Sequence, residues 1–275
     1  MISKELLEKI NTTYLQGKQK EIPFSNIVDS IIQQSVSVSA SVENKVIISN
    51  YILKLFSEEE RVFLCKKLLI EQVSDQRKRL NKWGIITAQS SQIDTGYIAQ
   101  HLVSLRTQIA GQGMRGKGDD LSDGSEIKSA NFLDSLDKKG ATAPRWNFTA
   151  ISPTIMENFL TYSSLYLLTM DLNKEKKIRI RIWKMDVTKN LNLIERYQLW
   201  MKDKGYIKFS SDNEKKAVNF QLFPPKRFGE DNFARHGNGR KNGHPPIKFD
   251  LNDGISSRLI FKATQHEDDF EVEFL

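Results

Sequence analysis

The chain contains little cysteine and no long apolar run. Its 275 residues include one cysteine, Cys65. A single thiol excludes an internal disulfide, and the chain has too few soft ligands for a structural zinc site. The apolar runs are far shorter than a bilayer requires. The amphipathic stretch from Met1 to Glu8 predicts a helix and not a signal peptide, so we expect a cytoplasmic protein.

The charge distribution indicates a nucleic-acid partner. The net charge is +7 and the pI about 9.3. From Lys202 to Lys248 there are 11 lysines and arginines against 5 acidic residues, whereas Phe249 to Leu275 has 2 against 7. A basic segment followed by an acidic one is expected when one surface faces phosphate and another does not. Charge alone does not distinguish an enzyme from a binding protein.

The first third of the chain predicts helices. Apolar residues recur at intervals of three and four over Ile2–Leu15, Phe24–Val36, Val42–Phe56 and Glu58–Trp83. Ser57 is a predicted N-cap for the fourth helix. We assign residues 1–91 to a helical subdomain for packing, DNA grip or dimerisation, and residues 92–275 to a second, mixed α/β unit.

The stretch with the clearest chemistry is Gly116–Asn131, GKGDDLSDGSEIKSAN. Its Asp-Gly pair between short segments predicts a hairpin, with Asp120 at the end of the first strand. Alternation in the second strand places Glu126 and Lys128 on one face and Ile127 on the other. Two carboxylates and an ammonium at one point are the minimum that could hold Mg²⁺ and activate a water beside a phosphodiester.

The specificity of this motif depends on its surroundings. The tripeptide Glu-x-Lys also occurs at Glu175–Lys177 and Glu214–Lys216, in lysine-rich runs that predict solvated turns. Compared with these two, Glu126–Lys128 has an upstream aspartate across a glycine turn and an apolar residue between its charges. An ordinary charged hairpin on the surface is the alternative.

The pattern of Asp, a short turn and Glu-x-Lys resembles the PD-(D/E)xK nuclease superfamily, which includes most Type II restriction endonucleases. The compact spacing is also similar to the branch of MutH-type mismatch-repair nickases. More narrowly, Ile93–Leu102 (IDTGYIAQHL) and Gly113–Gly118 (GMRGKG), followed by the hairpin, resemble the MamI group of restriction enzymes. The resemblance covers roughly residues 90 to 150.

The resemblance implies a mixed-sheet nuclease core and a homodimer that cuts a specific site in double-stranded DNA. It also implies Mg²⁺, with Mn²⁺ as a substitute, and a cognate DNA methyltransferase as a genetic partner. Asp120 and Glu126 would hold the metal and Lys128 would position or deprotonate the attacking water. Asp119 competes with Asp120 for the ligand role, because its seven-residue spacing suits the nickases.

A helix is predicted from Asp94, its N-cap, to Ala110. Nucleases of this superfamily place a helix before the first catalytic strand, and Gln100 and His101 are the residues that could contribute to the site. For both, a structural polar role is the alternative. The glycine-rich loop that follows carries Arg115 and Lys117, which could approach DNA phosphates.

Further along the chain, Ser164–Asp171 and Lys177–Val187 predict two antiparallel strands, and Leu191–Lys202 predicts a helix. Tyr206–Ser210 with Ala217–Phe223 predicts a hairpin, and the last residues predict strands. Residues 144–149 follow polar connections. Arg145 could contact DNA through its charge and Trp146 through stacking, although the core is the favoured place for Trp146. The glycine- and proline-rich loop 224–248 predicts no regular element. Its candidate DNA-binding residues are Arg235, Arg240, Lys241 and Asn242.

Other functions stay open at this point. The same core could serve a nicking or junction-resolving nuclease, and the basic segment could belong to a DNA-binding protein without activity. His236 and His244 raise an HNH-type site as a rival, although no ββα frame surrounds them.

Overall fold

The computed structural model describes residues 4–36, 41–113, 119–133, 144–150, 159–203, 218–225, 233–236 and 248–275. Structural statements below concern these residues. None of the helices in these ranges combines the length and the apolar character that a membrane crossing requires.

The first three predicted N-terminal helices are confirmed with small shifts at their ends, whereas the fourth, predicted as one helix over Glu58–Trp83, is divided into two α-helices. The bounds are α1 Lys4–Gln19, α2 Phe24–Val36, α3 Val42–Leu55, α4 Glu58–Leu69, α5 Gln76–Thr87, α6 Thr95–Thr107 and α7 Leu191–Asp203. A π-helical segment, Ile70–Asp75, joins α4 to α5, and a 3-10 turn, Val187–Lys189, precedes α7. At α4, the Ser57 side chain and Glu60 cap each other's backbone amides, which fixes the start of this helix.

Helices α1, α2 and α3 enclose a small apolar cluster of their own that includes Ile10, Ile31 and Phe56. The buried carboxylate of Glu60 ties α1 to α4, since it accepts hydrogen bonds from Tyr14 Oη and Lys18 Nζ, both at 2.8 Å. The division of the chain at residue 91 stays a prediction.

The strands form two sheets. Their bounds are β1 Glu126–Asn131, β2 Trp146–Ala150, β3 Leu165–Leu172, β4 Ile178–Met185, β5 Val218–Phe223, β6 Phe233–His236, β7 Lys248–Asp250, β8 Ser257–His266 and β9 Asp269–Phe274. The first sheet has the order β1-β3-β4-β8-β9, and the second has the order β2-β5-β6-β7. In the first sheet β1 pairs with β3 in parallel and the other neighbours are antiparallel, so the sheet is mixed, as predicted.

The mixed sheet is covered on both faces, which explains why β3 is apolar almost throughout. Alternate residues such as Tyr166 and Leu168 pack against α4, the π-helical segment and α6. The residues between them, Leu165 and Leu167, pack against the second sheet and α7. The molecule therefore has a helical layer, a mixed sheet and a second layer of sheet and helix, which confirms the predicted α/β class.

The predicted hairpin around Gly124 is wrong in its pairing. The amides of Asp120 and Leu121 both donate to Ser125 O at 3.1 Å, which closes a compact turn. Leu121 then forms a single antiparallel bridge with Gly111 and does not run beside β1. Strand β1 instead uses β3 as its partner, beginning with Glu126 N donating to Ser164 O at 3.0 Å. The alternation of Glu126, Ile127 and Lys128 in a strand is nevertheless confirmed.

Two segments assigned to loops contain strands. Residues 146–150 form β2, and Phe233–His236 forms β6 inside the glycine-rich segment. Both were missed because their apolar residues are few and pair with distant strands: Trp146 lies opposite Leu222, and Ala234 lies opposite Phe249. Trp146 is fully buried, as expected. The predicted strand at 206–210 lies outside the described residues, whereas the predicted β3–β4 pair and the predicted strands at the end of the chain, β8 and β9, are confirmed.

A buried ion cluster, unforeseen from the sequence, lies towards the end of β3. Asp171, which is 0% exposed, accepts hydrogen bonds from Arg179 Nε at 3.0 Å and from Arg181 Nη2 at 2.8 Å. Arg181 is also 0% exposed and lies over the ring of Trp183, with 5.0 Å to the ring centroid. Strand pairing brings the three charges together, because Asp171 is opposite Arg179 in the register of β3 and β4.

We predict that Asp171→Asn lowers the free energy of unfolding by about 3–5 kcal/mol, because Arg181 would remain charged and buried without its counter-ion. Urea unfolding at neutral pH measures this. The control is Glu175→Gln in the β3–β4 turn, where a largely exposed pair with Lys177 predicts a change within about 0.5 kcal/mol. Equal stability of the two variants would contradict the structural role of the cluster.

Candidate active site

The site is built on the turn between Asp120 and Glu126. Gly124 allows its shape, because its φ is +83° and a Cβ there would lie 3.2 Å from Ser163 Oγ. The turn is also fastened to the segment before β3, since Ser163 N donates to Gly124 O at 3.2 Å and Ser163 Oγ donates to Asp123 O at 2.6 Å. Leu121 is fully buried in the core on the helical side of the mixed sheet, and its packing there holds the turn in place.

The carboxylate of Asp120 is held at both oxygens. Its Oδ1 accepts a hydrogen bond from Gln100 Nε2 of α6 at 2.7 Å, and its Oδ2 accepts one from Ile127 N at 2.8 Å. Each oxygen keeps a lone pair for a further partner. Gln100, the tentative helix residue, therefore contacts a predicted site residue.

Glu126 begins β1 and is only 4% exposed. Its Oε1 is paired with Lys128 Nζ, while its Oε2 has no hydrogen-bond partner among the described residues. Burial raises the pKa of Glu126 to about 7; the Lys128 ammonium opposes this rise, whereas Asp120 and Asp119 add to it. The carboxylate thus needs a compensating positive charge at neutral pH.

Lys128 lies two residues along β1 on the same face as Glu126, as the alternation predicts. Its Nζ also lies 5.7 Å from the centroid of the Phe148 ring in β2, so the second sheet helps to place the ammonium. The side chain is 27% exposed, which leaves one side open to a ligand. Glu126, Lys128 and Asp120 are brought together as predicted.

Asp119 lies beside the same turn. Its Oδ2 is 3.7 Å from the point that a Cβ on Gly124 would occupy, and its charge acts on Glu126. The geometry therefore brings both aspartates near the glutamate. Asp120 differs from Asp119 in having hydrogen bonds from both α6 and β1 that fix its orientation.

The side chains in the described ranges do not by themselves form a complete set of metal ligands. In the described ranges, no three His, Cys, Asp or Glu side chains are grouped so that they could hold an ion. Asp120 and Glu126 nevertheless fit a hard divalent cation such as Mg²⁺, which binds one or two carboxylates and fills its other positions with water and phosphate. The unpartnered, buried Oε2 of Glu126, on which the charges of Asp120 and Asp119 also act, is the observation that favours a cation here.

Helix α3 braces the loop that carries the aspartates. Asn50 Oδ1 accepts a hydrogen bond from Ala110 N at 2.9 Å, and Gln108 Nε2 donates to Leu53 O at 2.8 Å. Gly113, with φ of +75°, fits so closely that a Cβ would lie 3.3 Å from Val42 Cγ1. These contacts join residues that are about 60 positions apart, and no local sequence signal announces them.

His101, the other candidate on α6, is not tied to the carboxylates. Its side chain is exposed on the helix surface, and its pKa is lowered by the desolvation of the ring and then by the Lys45 ammonium of α3. The carboxylates of the turn are not among the groups that shift it. The hypothesis of a metal or proton-transfer role for His101 receives no support from these contacts.

The predicted DNA-binding residues are described only in part. Arg145 Nη1 donates to Gln221 Oε1 of β5 at 3.1 Å. Arg235 is exposed on β6 and lies over the ring of Phe223, with 5.6 Å to the centroid. The others lie outside the described residues: Arg115, Lys117, Arg240, Lys241, Asn242 and His244.

Comparison with known proteins identifies a family that matches this chain. The model of a family described as MamI restriction endonuclease matches residues 82–263. A curated relative, Type II restriction enzyme MamI of Microbacterium ammoniaphilum, is 32% identical over 211 residues, which cover 71% of this chain. The chain spans 64% of that relative's length. No solved structure matches the chain.

The family model covers residues from within α5 to within β8, which include the whole turn, the second sheet and the mixed sheet except β9 and the end of β8. The chain therefore belongs to the MamI restriction endonuclease family, so the predicted narrower resemblance is confirmed.

We predict that Glu126→Gln stabilises the metal-free protein at neutral pH. The folded pKa of about 7 lies above the ordinary 4.5, so the contribution of Glu126 to stability is full below pH 4.5 and is lost as the pH rises to about 7. A neutral amide avoids this loss, which amounts to roughly 3 kcal/mol at most. Urea unfolding of both proteins between pH 4.5 and 8 measures it.

In that comparison, Glu175→Gln is the control and should track the wild type at every pH, because the side chain of Glu175 is largely exposed. A stability difference between wild type and Glu126→Gln that does not change with pH would show that ionisation of Glu126 is not the cause.

Proposed function

We propose that the protein is a Mg²⁺-dependent endonuclease that cuts a specific site in double-stranded DNA, as a Type II restriction enzyme. Mn²⁺ would substitute for Mg²⁺. The observation that carries this proposal is the convergence of Asp120, Glu126 and Lys128 at the start of β1, with one buried carboxylate oxygen unpartnered. The name of the family supports the substrate class.

The proposed roles follow from the contacts. Asp120 and Glu126 would hold the cation, which would lower the pKa of a bound water and offset charge on the scissile phosphate. Gln100 and Ile127 N keep the Asp120 carboxylate in one orientation. Lys128 would position the attacking water and donate a hydrogen bond from Nζ to the phosphate.

Basic residues of β6 and of the glycine-rich loops would contact the duplex. Arg235 is exposed on β6, and we propose that it, Arg240 or Asn242 reads bases, while Arg115, Lys117, Arg145 and Lys241 contact the backbone. Arg145 would keep its hydrogen bond to Gln221, and this bond would restrict the orientation of its guanidinium group. A homodimer in the cytoplasm, with a cognate methyltransferase as genetic partner, completes the proposal.

One experiment separates this function from its rivals. Purified protein is incubated with unmodified plasmid DNA in Mg²⁺ and, separately, in EDTA. Discrete linear fragments in Mg²⁺ alone support the proposed function. Nicked circles favour the repair-type or junction-resolving alternative, and unchanged plasmid favours a DNA-binding protein without activity.

We predict that Glu126→Ala and Lys128→Ala each lower the cleavage rate by at least about a thousandfold, which corresponds to about 4 kcal/mol of transition-state stabilisation. Single-turnover cleavage of the mapped site measures this. The matched controls are Glu175→Ala and Lys177→Ala, which alter the same tripeptide in an exposed turn and should cut at the wild-type rate. Wild-type cleavage by Glu126→Ala would rule out the assigned site.

A further prediction decides between the two aspartates. Asp120→Asn should abolish metal-dependent cleavage and the rise in melting temperature that Mg²⁺ gives the wild type, because an amide has one acceptor oxygen where Gln100 and Ile127 N require two. Asp119→Asn should retain most of both. The reverse ranking would assign the metal to Asp119 and favour the nickase mechanism.

A further inference from the structure

The segment that leads into β3 contains a tyrosine that the sequence did not single out. Tyr162 directly precedes Ser163, whose amide and hydroxyl bind the active-site turn at Gly124 O and Asp123 O. Two residues on, Ser164 O accepts the hydrogen bond of Glu126 N at 3.0 Å. The backbone beside Tyr162 is therefore fixed to the turn that carries the carboxylates.

The ring of Tyr162 lies on the same side of the mixed sheet as Glu126 and Lys128. It is partly buried and packs against the core between the two sheets. This packing limits the directions that its hydroxyl can take. Tyr166, four residues later, provides a contrast, because it is 1% exposed and belongs to the core on the helical side.

The hydroxyl of Tyr162 lies within electrostatic range of the carboxylates and is not hydrogen-bonded to them. Among the described residues no hydrogen-bond partner of this hydroxyl is found, yet the charges of Glu126, Asp119 and Asp120 all act on it. Desolvation and these three charges raise the pKa of Tyr162 above its ordinary value, so the phenol keeps its proton. A protonated phenol offers one hydrogen-bond donor at this point.

We propose that the hydroxyl of Tyr162 donates a hydrogen bond to a non-bridging oxygen of the phosphodiester that is cut, which makes it a further catalytic residue. This rests on the proposed nuclease function. A phosphodiester suits the position because its non-bridging oxygens only accept hydrogen bonds. The bond would strengthen as negative charge grows on those oxygens in the transition state. The tyrosine keeps its proton throughout, and no covalent bond to it forms.

The test compares Tyr162→Phe with Tyr97→Phe, a control on α6 whose side chain is 45% exposed. Single-turnover cleavage of the mapped duplex in Mg²⁺ should be about 10- to 100-fold slower for Tyr162→Phe and within about twofold of wild type for Tyr97→Phe. The melting temperature of Tyr162→Phe should stay at that of the wild type, because the hydroxyl has no bond within the described protein to lose.

A second measurement identifies the contacted atom. Duplexes with a single phosphorothioate of each configuration at the cut position replace one non-bridging oxygen by sulfur, a weaker acceptor. For one configuration, the ratio of oxygen to sulfur rates should be lower in Tyr162→Phe than in wild type. Replacement of Tyr162 by 4-aminophenylalanine, which keeps a donor at the same place, should restore most of the cleavage rate.

The outcomes separate the two proposals. A wild-type protein that cuts no DNA in Mg²⁺ or Mn²⁺ overturns the nuclease function itself. If the wild type cuts, a Tyr162→Phe rate within twofold of it overturns the role of the hydroxyl. Equal oxygen-to-sulfur ratios in both proteins for both configurations, or no rescue by 4-aminophenylalanine, also overturn it.

Discussion

The burial of one negative charge dominates this structure. Glu126 sits 4% exposed between a mixed sheet and a second sheet, and a carboxylate there is costly unless positive charge accompanies it. Lys128 supplies part of that charge, and the remaining oxygen is left without a partner in the described protein. The second sheet places Phe148 near Lys128 and so limits the access of water to these charges. With less water around them, the charges interact more strongly.

Around this charge, residues from four parts of the chain meet. The turn contributes Asp120, α6 contributes Gln100, β1 contributes its amide at Ile127, and the segment before β3 contributes the acceptor for Glu126 N. Each contact restricts one atom of the site. Together they provide a fixed arrangement of carboxylates before any ligand binds, which is the kind of preorganisation on which electrostatic catalysis depends.

What the sequence allowed us to predict was local. Alternation in β1 correctly placed Glu126 and Lys128 together, because the period of a strand is two, and the N-cap at Asp94 correctly marked the start of α6. The Asp-Gly pair correctly marked a turn, but not its partner strand. The pairing failed because β1 binds β3, some forty residues later.

The contacts that the sequence did not predict are those between residues far apart in the chain. Asn50 reaches Ala110, Gln100 reaches Asp120, and Asp171 meets Arg181 only because β3 and β4 run side by side. Tyr162 belongs to the same group, since nothing in its neighbours along the chain indicates a site. In each case the chemistry is ordinary and the position depends on the tertiary fold.

The brace formed by α3 has a consequence for how the molecule is divided. Asn50, Leu53 and Val42 contact the loop between α6 and the carboxylates, so α3 is a structural support of the candidate active-site turn. A shortened protein that keeps only the sheets and α6 would contain every proposed catalytic side chain. It would lack the contacts of α3 with Gln108, Ala110 and Gly113, so we expect the smallest protein with an ordered candidate site to extend back at least to α3.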